Sequence, residues 1–214
     1  MLSAVSIVTL HDNQTEAWHQ AQTDAGADPD ASQEAASDWL RAVSRQHRAN
    51  FDLWHIEDEA RMPGVTDAEL AAVKHRIDQT NQLRNDLSEE LDRTLIAWLE
   101  PQSLPYPDAP LNSESPGLII DRLSILALKI YHTREEATRA DAPPGHIDRN
   151  HERLAILEQQ RSDLAGCLES LWRETVAGTR QFKLYRQLKM YNDPSLNPSI
   201  YRKLPSQIPG EPER

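Results

Sequence analysis

One long amphipathic stretch, from residue 70 to residue 98, most constrains what this chain can fold into. Its apolar residues recur every three or four positions, which is the spacing of one face of an α-helix. Both ends of the face are apolar, but its middle is polar and contains an arginine, and burying a guanidinium without partners is expensive. The stretch therefore predicts a helical bundle with a polar layer inside it. The face consists of Leu70, Val73, Ile77, Asn81, Arg84, Ser88, Leu91, Leu95 and Trp98.

The composition of the chain favours an all-α protein and argues against two kinds of partner. Its 214 residues can bury a sizeable core, only 7 of them are glycine, and strand-like alternation is nearly absent. The formal net charge of −11 argues against nucleic-acid binding, and no apolar stretch is long enough for membrane insertion. The single cysteine, Cys167, excludes an intrachain disulfide and fits a reducing compartment. We therefore expect a cytoplasmic protein in which Cys167 is a small buried side chain.

Capping and turn signals predict four main helices. Ser37 or Asp38 can cap the first helix, and Thr66 with Glu69 forms a capping box for the second. Ser115 followed by a proline begins the third, and a Pro-Pro-Gly turn precedes the fourth. These helices are expected at about 38–61, 66–100, 115–140 and 147–178, the last continuing to about residue 191.

The other segments are expected to be a short N-terminal helix and three less regular pieces. The short helix lies within residues 1–20, and residues 21–37, rich in Ala, Asp, Ser and Gln, form a flexible loop. Residues 101–114 contain four prolines and form a linker, whereas residues 192–214 contain five and form an extended tail. Residues 1–191 are thus expected to be a single helical-bundle domain.

An internal repeat is found when the chain is shifted by 77 residues. Trp54 then falls on Tyr131, and one ungapped register holds across two helices and the turn between them. Such a duplication predicts two repeated helical hairpins, 38–100 and 115–191, packed as a four-helix bundle with approximate two-fold symmetry.

A polar layer is predicted at the centre of this bundle. Antiparallel pairing of the first two helices places His47 and Asn50 at the height of residues 79–82. Arg84 and its repeat equivalent Arg161 each interrupt an apolar stripe, and two like charges at one height need something negative between them. The residues predicted to bind a ligand are Arg84, Arg161, Asn50, Trp54, Asn81, Asn85, Asp121 and Ser124, and the candidates for acid–base chemistry are Asp58, Asp86 and His47.

Two interpretations of this layer are open from sequence. In the first, the arginines hold the phosphate or carboxylate of a small anionic ligand, which the protein binds or acts on. In the second, the chain is a non-catalytic interaction or scaffold protein whose arginines pair with its own carboxylates, and the polar core only fixes the helix register. The sequence identifies no cofactor, and it leaves open a protein partner or a homodimer. The candidate pairing carboxylates are Glu57, Asp58, Asp121 and Glu158.

Two pairs of carboxylates suggest a third interpretation. Glu57 with Asp58, and Glu89 with Asp92, faintly resemble the acidic helices of metal-dependent all-α nucleotide pyrophosphatases. Their distances from the turn at residue 64 put the two pairs roughly 28 Å apart along the hairpin, so a solvated acidic face is favoured over one site. The histidines at 47, 55 and 132 do not have the spacing of a familiar metal site, and no metal site is predicted.

Four motifs together identify a relationship. They are N-F-x-L-W-H-x-E-D-x-A-R from Asn50, N-Q-x-R-N-D from Asn81, S-P-G-x-I-I-D-R-L-S-I-L-x-L-K from Ser115 and K-M-Y-N-D-P from Lys189. They resemble a bacterial family of helical proteins of about this length, known only as a domain of unknown function. The resemblance covers nearly the whole chain except residues 21–37. It implies a bacterial, cytoplasmic protein with a role in cell-envelope glycan metabolism, because genes of the family often lie near those for glycosyltransferases. It assigns no catalytic residue.

Overall fold

The computed structural model describes residues 1–23 and 37–186, together with residues 195, 196 and 198. This part contains no β-strand, and its one β-type contact is an isolated parallel bridge between Leu111 and Gln181. The predicted all-α fold class is therefore confirmed. The α-helices are α1 (Ala4–Thr23), α2 (Asp38–Glu59), α3 (Asp67–Leu99), α4 (Pro116–Thr138) and α5 (His146–Val176), and a 3-10 turn, Glu100–Gln102, follows α3.

Side-chain caps begin three of these helices where the sequence predicts them. The hydroxyl of Ser37 accepts a hydrogen bond from the amide of Leu40 at the start of α2. Thr66 and Glu69 form a reciprocal capping box at the start of α3, and Ser115 caps α4. Each cap satisfies amide groups that have no partner within the helix, which fixes where the helix begins.

Helices α1, α2 and α4 run parallel to one another. The residues through which these helices contact one another form two sets, each with one residue from every helix. Each member of the second set lies eight residues further along its helix than the member of the first set. Eight residues of α-helix span about 12 Å, so the two sets are separated by that distance along the bundle. The sets are His11, His47 and Ser124, and His19, His55 and His132.

Helices α3 and α5 run antiparallel to these three, because the partner's number falls as the residue number rises. This direction follows from the short turns that join α2 to α3 and α4 to α5. The pairs that show it are Arg45–Glu90 and Glu59–Arg76 between α2 and α3, and Ala4–Glu169 and Asp12–Arg161 between α1 and α5.

The main apolar core fills one end of the bundle and takes side chains from all five helices. A smaller aromatic cluster lies further along and takes side chains from α1, α2 and α4. The core includes Ile7, Val43, Leu91, Leu95, Leu99, Ile120, Leu123, Leu168 and Phe182, and the aromatic cluster is Trp18, Phe51 and Leu128 with Trp54 packed against it.

The predicted apolar face of α3 is only partly buried. Leu91 and Leu95 are fully enclosed, but Leu70 is 45% exposed and Trp98 39% exposed. The expectation that both ends of the face are buried is therefore wrong. Leu70 lies near the turn at the tip of the α2–α3 hairpin, where α3 packs mainly on α2. Trp98 lies at the other end of α3, where its ring contacts Trp172 of α5 but stays partly exposed.

The N-terminal helix is longer and more central than predicted. It spans 20 residues, and it packs against α2, α4 and α5 rather than lying on the outside. The buried side chains of Ile7 and Trp18 join the two apolar clusters. The predicted four-helix bundle of two repeated hairpins is therefore not confirmed as the architecture, because a fifth helix completes the core.

Helix α5 ends earlier than predicted. It stops at Val176 instead of continuing to about residue 191. Gly178 has a φ of +74°, a conformation that suits glycine, and its amide donates to the carbonyl of Thr175. The chain then leaves the helix, and Gln181 pairs with Leu111 of the 101–114 linker. Residues 187–194 lie outside the described residues.

Three other sequence expectations have different outcomes. Most of the predicted loop 21–37 and most of the tail 192–214 lie outside the described residues. Cys167 is exposed on α5, so its predicted burial is wrong, because the next residue, Leu168, is the one that packs into the apolar core. None of the described helices combines the length and apolarity needed to cross a membrane.

Candidate functional site

A buried hydrogen-bonded layer lies between α1, α2 and α4. The Nδ1 atom of His47 lies 2.7 Å from the hydroxyl of Ser124, and its Nε2 atom lies 2.9 Å from the hydroxyl of Thr15 and 3.1 Å from the carbonyl of His11. Asn50, one turn further along α2, donates to the Ser124 hydroxyl at 2.9 Å. The structure thus brings together three residues that the sequence predicts at one height, and all three are buried.

Asp121 is the charged centre of this layer. One of its carboxylate oxygens accepts from the amides of Gln46 at 2.7 Å and Asn50 at 3.0 Å, and Nε of Arg84 lies 3.3 Å from the same oxygen. Burial raises the pKa of Asp121, while the Arg84 charge and the amide donors oppose that rise. We call this set the polar layer, and its members are Gln46, His47, Asn50, Arg84, Asp121 and Ser124.

Burial keeps the histidines of this region neutral. It lowers the pKa of His47 to about 3, against a smaller opposing effect of the His11 carbonyl. The His11 ring stacks on the His47 ring with 4.4 Å between centroids, and burial, helped by the His47 and Arg161 charges, lowers the His11 pKa well below its usual value. Because a general acid or base works best with a pKa near the operating pH, His47 is poorly suited to that role at pH 7.

Helix α1 supplies partners that the sequence analysis did not assign to the layer. Thr15 and the His11 carbonyl both contact the His47 ring, and Gln14 donates to the hydroxyl of Ser44 at 2.6 Å. All of these groups are buried. Polar residues of α1 therefore close the side of the layer that a four-helix bundle would leave open.

A groove of about 490 Å³ opens beside the polar layer, between α2, α3 and α4. Four predicted site residues line it, namely Asn50, Trp54, Asp58 and Arg84. The Arg84 side chain is 25% exposed, so the groove gives solvent access to the edge of the polar layer. We call this cavity the Arg84 groove, and its other lining residues are Leu53, Glu57, Arg61, Ile125 and Leu128.

The two arginines of the Arg84 groove differ in how fully nearby carboxylates balance their charges. Arg61 donates to the carboxylate of Glu57 at 2.8 Å and lies 3.4 Å from Asp58, so its charge is balanced locally. Among the residues that the structure describes, the ion-pair partner of Arg84 is Asp121, and the Nε group of Arg84 makes no well-aligned hydrogen bond. Since a guanidinium carries five N–H donors, Arg84 keeps donors for a further acceptor.

The other predicted site residues lie away from the groove. Asp86 is exposed and accepts from Gln82 at 2.8 Å on the outer side of α3. Asn81 is half-buried on α3, one turn before Arg84, while Asn85 is buried and its amide nitrogen has no hydrogen-bond partner among the described residues. These three positions line none of the groove.

The two repeat-related arginines do not share a site. Arg84 pairs with Asp121 on α4, whereas Arg161 donates to Asp12 on α1 at 2.6 Å. Each arginine thus has a carboxylate of this chain as its partner, as the second of the two sequence interpretations requires. Asp12 was not among the expected partners, because α1 and α5 are far apart in the sequence and no local signal sets their relative position.

The two predicted carboxylate pairs do not converge. Glu57 and Asp58 contact Arg61, and Glu89 contacts Arg93 at 3.0 Å. Asp92 is buried and accepts from the amide of Gly117 at 2.7 Å, so it caps α4, and burial raises its pKa to about 6. In the described part of the chain, neither carboxylate pair belongs to a cluster of three metal-ligand groups.

Three histidines instead form such a cluster, which the sequence analysis did not group. His19, His55 and His132 each offer a ring nitrogen, and these nitrogens all lie within 4.8 Å of one another. We call these three residues the histidine cluster. They come from three different helices, so no spacing within one helix could have identified them.

Comparison with known proteins identifies one family. The model of the family described as "Protein of unknown function (DUF4254)" matches residues 40–184, from the first turn of α2 to the segment after α5. Searches of curated proteins and of solved structures gave no match. The matched range covers more than half of the chain and contains both the polar layer and the Arg84 groove. The chain therefore belongs to the DUF4254 family of proteins of unknown function.

Proposed function

We propose that this protein binds a small anionic ligand, phosphorylated or carboxylated, in the Arg84 groove. The observation that carries the proposal is the position of Arg84, that is, its exposure in the groove and its contact with Asp121. Its side chain lines the groove and is partly exposed, and its Nε atom lies 3.3 Å from Asp121 without a well-aligned hydrogen bond. Phosphate and carboxylate groups accept two parallel hydrogen bonds from a guanidinium, so Arg84 would hold the anionic end of the ligand.

The polar layer would position Arg84 for this task. Asp121 is fixed by two amide donors from α2, and Arg84 lies against that fixed carboxylate. A buried counter-charge held by hydrogen bonds orients the guanidinium more closely than solvent would. Asn50, which belongs to the layer and also lines the groove, offers a second polar contact for the ligand.

Any reaction on the ligand would draw on the acids of the groove. Asp58 lines the groove and is the one of the three predicted acid–base candidates that does so. His47 is enclosed, and Asp86 lies elsewhere on the surface. A phosphorylated sugar or a sugar acid as the ligand, in a bacterial cytoplasm, would fit the envelope-glycan role that the family resemblance implies.

The alternative is a scaffold or interaction protein without a ligand. The hydrogen bonds of the polar layer favour it, because Asp121 already has three partners and both nitrogens of His47 face oxygen atoms. A layer of this kind can serve only to fix the relative height of the helices.

A thermal-shift experiment distinguishes the two functions. The wild-type protein and the variants Arg84→Gln and Arg161→Gln are each heated with inorganic phosphate, glucose 1-phosphate or glucuronate. A ligand at about 100 times its Kd stabilises by about 2.7 kcal/mol, which raises the Tm by about 5–10 °C for a chain of this size. We expect this rise in the wild type and in Arg161→Gln, whose arginine lies outside the groove, and none in Arg84→Gln. An equal rise in all three proteins contradicts the proposed site, and no rise with any probe favours the scaffold.

A further inference from the structure

The histidine cluster lies where α1, α2 and α4 meet, beyond the aromatic residues Trp18 and Phe51. The ring centroids of His19 lie 5.1 Å from His55 and 4.9 Å from His132, and those of His55 and His132 are 6.1 Å apart. All three side chains are half-buried, so the cluster is protected but open to solvent on one side. None of the three lines the Arg84 groove, and the cluster is therefore a separate feature.

The hydrogen bonds of the three rings fix the same tautomer in each. In every ring the Nδ1 atom faces an oxygen that can only accept, so Nδ1 carries the proton and Nε2 keeps a free electron pair. The Nε2 atoms of His19 and His132 are buried and have no hydrogen-bond partner within the described residues. The accepting oxygens are the carbonyls of Thr15 and Phe51 and the carboxylate of Glu135, at 2.7, 2.8 and 2.9 Å from His19, His55 and His132 respectively.

This combination is the one that metal-binding histidines show. A ligating histidine typically donates its other ring N–H to a backbone carbonyl or a carboxylate, which fixes the ring and makes the ligating nitrogen more basic. In a tetrahedral zinc site the nitrogens lie about 3.4 Å apart, given Zn–N bonds of about 2.0–2.1 Å. Nitrogens within 4.8 Å of one another reach that geometry through ring movements of about 1 Å.

Aromatic neighbours hold the three rings in place. The His19 ring stacks on Tyr131 at 4.2 Å between centroids, and the His132 ring stacks on Trp54 at 4.9 Å. Phe51 packs against His55 at 4.4 Å. These contacts limit the rotation of the rings, so a metal ion would bind to groups that are already gathered, with little ordering needed.

We propose that His19, His55 and His132 bind one divalent transition-metal ion through their Nε2 atoms. Three imidazole ligands suit zinc, cobalt, nickel or copper, whereas magnesium and calcium require oxygen ligands. Three protein ligands leave a fourth tetrahedral position on the solvent side for water or for an anionic group, as in catalytic rather than structural zinc sites. Glu135 is the supporting residue that orients His132. The proposal is independent of the ligand proposed for the Arg84 groove.

The test is a metal titration of the full-length protein without a histidine tag, after removal of metal with a chelator. Isothermal titration with Zn²⁺ and visible absorption with Co²⁺ should both give one ion per chain, and the cobalt spectrum should be that of a tetrahedral site. We expect His55→Ala and His132→Ala to weaken zinc binding at least about 100-fold, and Glu135→Ala to weaken it about 10–100-fold. His75→Ala and His151→Ala, which remove exposed histidines from α3 and α5, are matched controls and should bind like the wild type.

Two outcomes overturn the proposal. One is a wild-type protein that binds neither ion at a ratio of one per chain. The other is a binding constant that the control variants reduce as much as the cluster variants do. If the cluster variants fail to fold, X-ray absorption of the zinc-loaded wild type decides the question, because three imidazole ligands support the proposal and a coordination shell of oxygen atoms alone rejects it.

Discussion

The polar layer and the histidine cluster share two helices, α2 and α4. On these helices His47 and His55, and Ser124 and His132, lie eight residues apart. In the polar layer, the nitrogens of His47 face the oxygens of Ser124, Thr15 and the His11 carbonyl, so the ring is fully engaged. In the histidine cluster, only one nitrogen of each ring is engaged, and the buried Nε2 atoms of His19 and His132 lack partners in the described part of the chain.

The difference between these two regions lies in their neighbours rather than in their helices. Around His47, the hydroxyl groups of Ser124 and Thr15 lie within hydrogen-bonding distance of both ring nitrogens. Around His132, the neighbouring rings of Trp54 and Tyr131 provide contact but no hydrogen bonds to Nε2. The enclosed part of the polar layer around His47 and Asp121 should therefore matter mainly for stability, and the histidine cluster mainly for binding, which makes the comparison testable.

The largest expected effect is the loss of Asp121. The variant Asp121→Ala removes the common acceptor of Gln46, Asn50 and Arg84 and leaves a partly buried positive charge without its partner. Breaking a buried pair in this way costs about 3–5 kcal/mol, measured as a loss of unfolding free energy in urea at pH 7. The control Asp86→Ala removes an exposed carboxylate and should change stability by less than about 0.5 kcal/mol. Equal losses of unfolding free energy in the two variants would show that Asp121 stabilises the protein no more than an exposed carboxylate does.

The second largest expected effect is a dependence of the unfolding free energy on pH that comes from His47. Its folded pKa of about 3 lies below the unfolded value near 6.5, so only the unfolded chain gains a proton as the pH falls through this window. Stability is therefore full above pH 6.5 and is lost on acidification, by about 2 kcal/mol between pH 6.5 and pH 5. Over the same range Asp92, with its pKa raised to about 6, acts in the opposite direction.

A comparison of variants isolates the His47 contribution from that of Asp92. The unfolding free energy of His47→Gln should fall between pH 6.5 and pH 5 by about 2 kcal/mol less than that of the wild type. Thr15→Val removes one partner of His47 but keeps the ring, so it should lower stability and leave the pH dependence as in the wild type. A His47→Gln protein with the pH dependence of the wild type would contradict the buried, neutral state of His47.

The smallest expected effect is the loss of stability when a residue of the histidine cluster is replaced in metal-free protein. The variant His132→Gln loses a stacked ring and one hydrogen bond to Glu135, both partly exposed, and should cost about 1 kcal/mol or less in chelator-treated protein. Urea denaturation at pH 7 measures it beside Asp121→Ala. A loss as large as that at Asp121 would mean that both regions are structural, and the contrast between them would disappear.

The start of each main helix and part of the polar layer could be predicted from sequence for local reasons, whereas Gln46 was not predicted and Arg161 lies elsewhere. Ser37, Thr66 and Ser115 cap helices through their own side chains, and such signals act within four residues. His47 and Asn50 interrupt the stripe of α2 as Arg84 interrupts that of α3, and a short turn sets the relative height of these two helices. The length of the turn and the rise per residue therefore place these residues at about the same height along the hairpin.

The histidine cluster and the position of α1 could not be predicted in this way, because they depend on the relative heights of helices that are far apart in sequence. A signal was nevertheless present. His11 and His19 are eight residues apart, as are His47 and His55, and the shift of 77 residues carries His55 onto His132. The early end of α5 depends on Gly178, whose positive φ sequence analysis could have anticipated from the residue type.

The central position of α1 has a consequence for synthesis of the protein. The amide of Ala4 donates to the carboxylate of Glu169, which the ribosome adds 165 residues later. A helix of 20 residues is marginal in water without its packing partners. At about 5–20 residues per second, Glu169 follows Ala4 after roughly 8–30 s, so the contact between α1 and α5 forms only after that interval. Helix α1 should therefore complete its packing only after α5 has been synthesised.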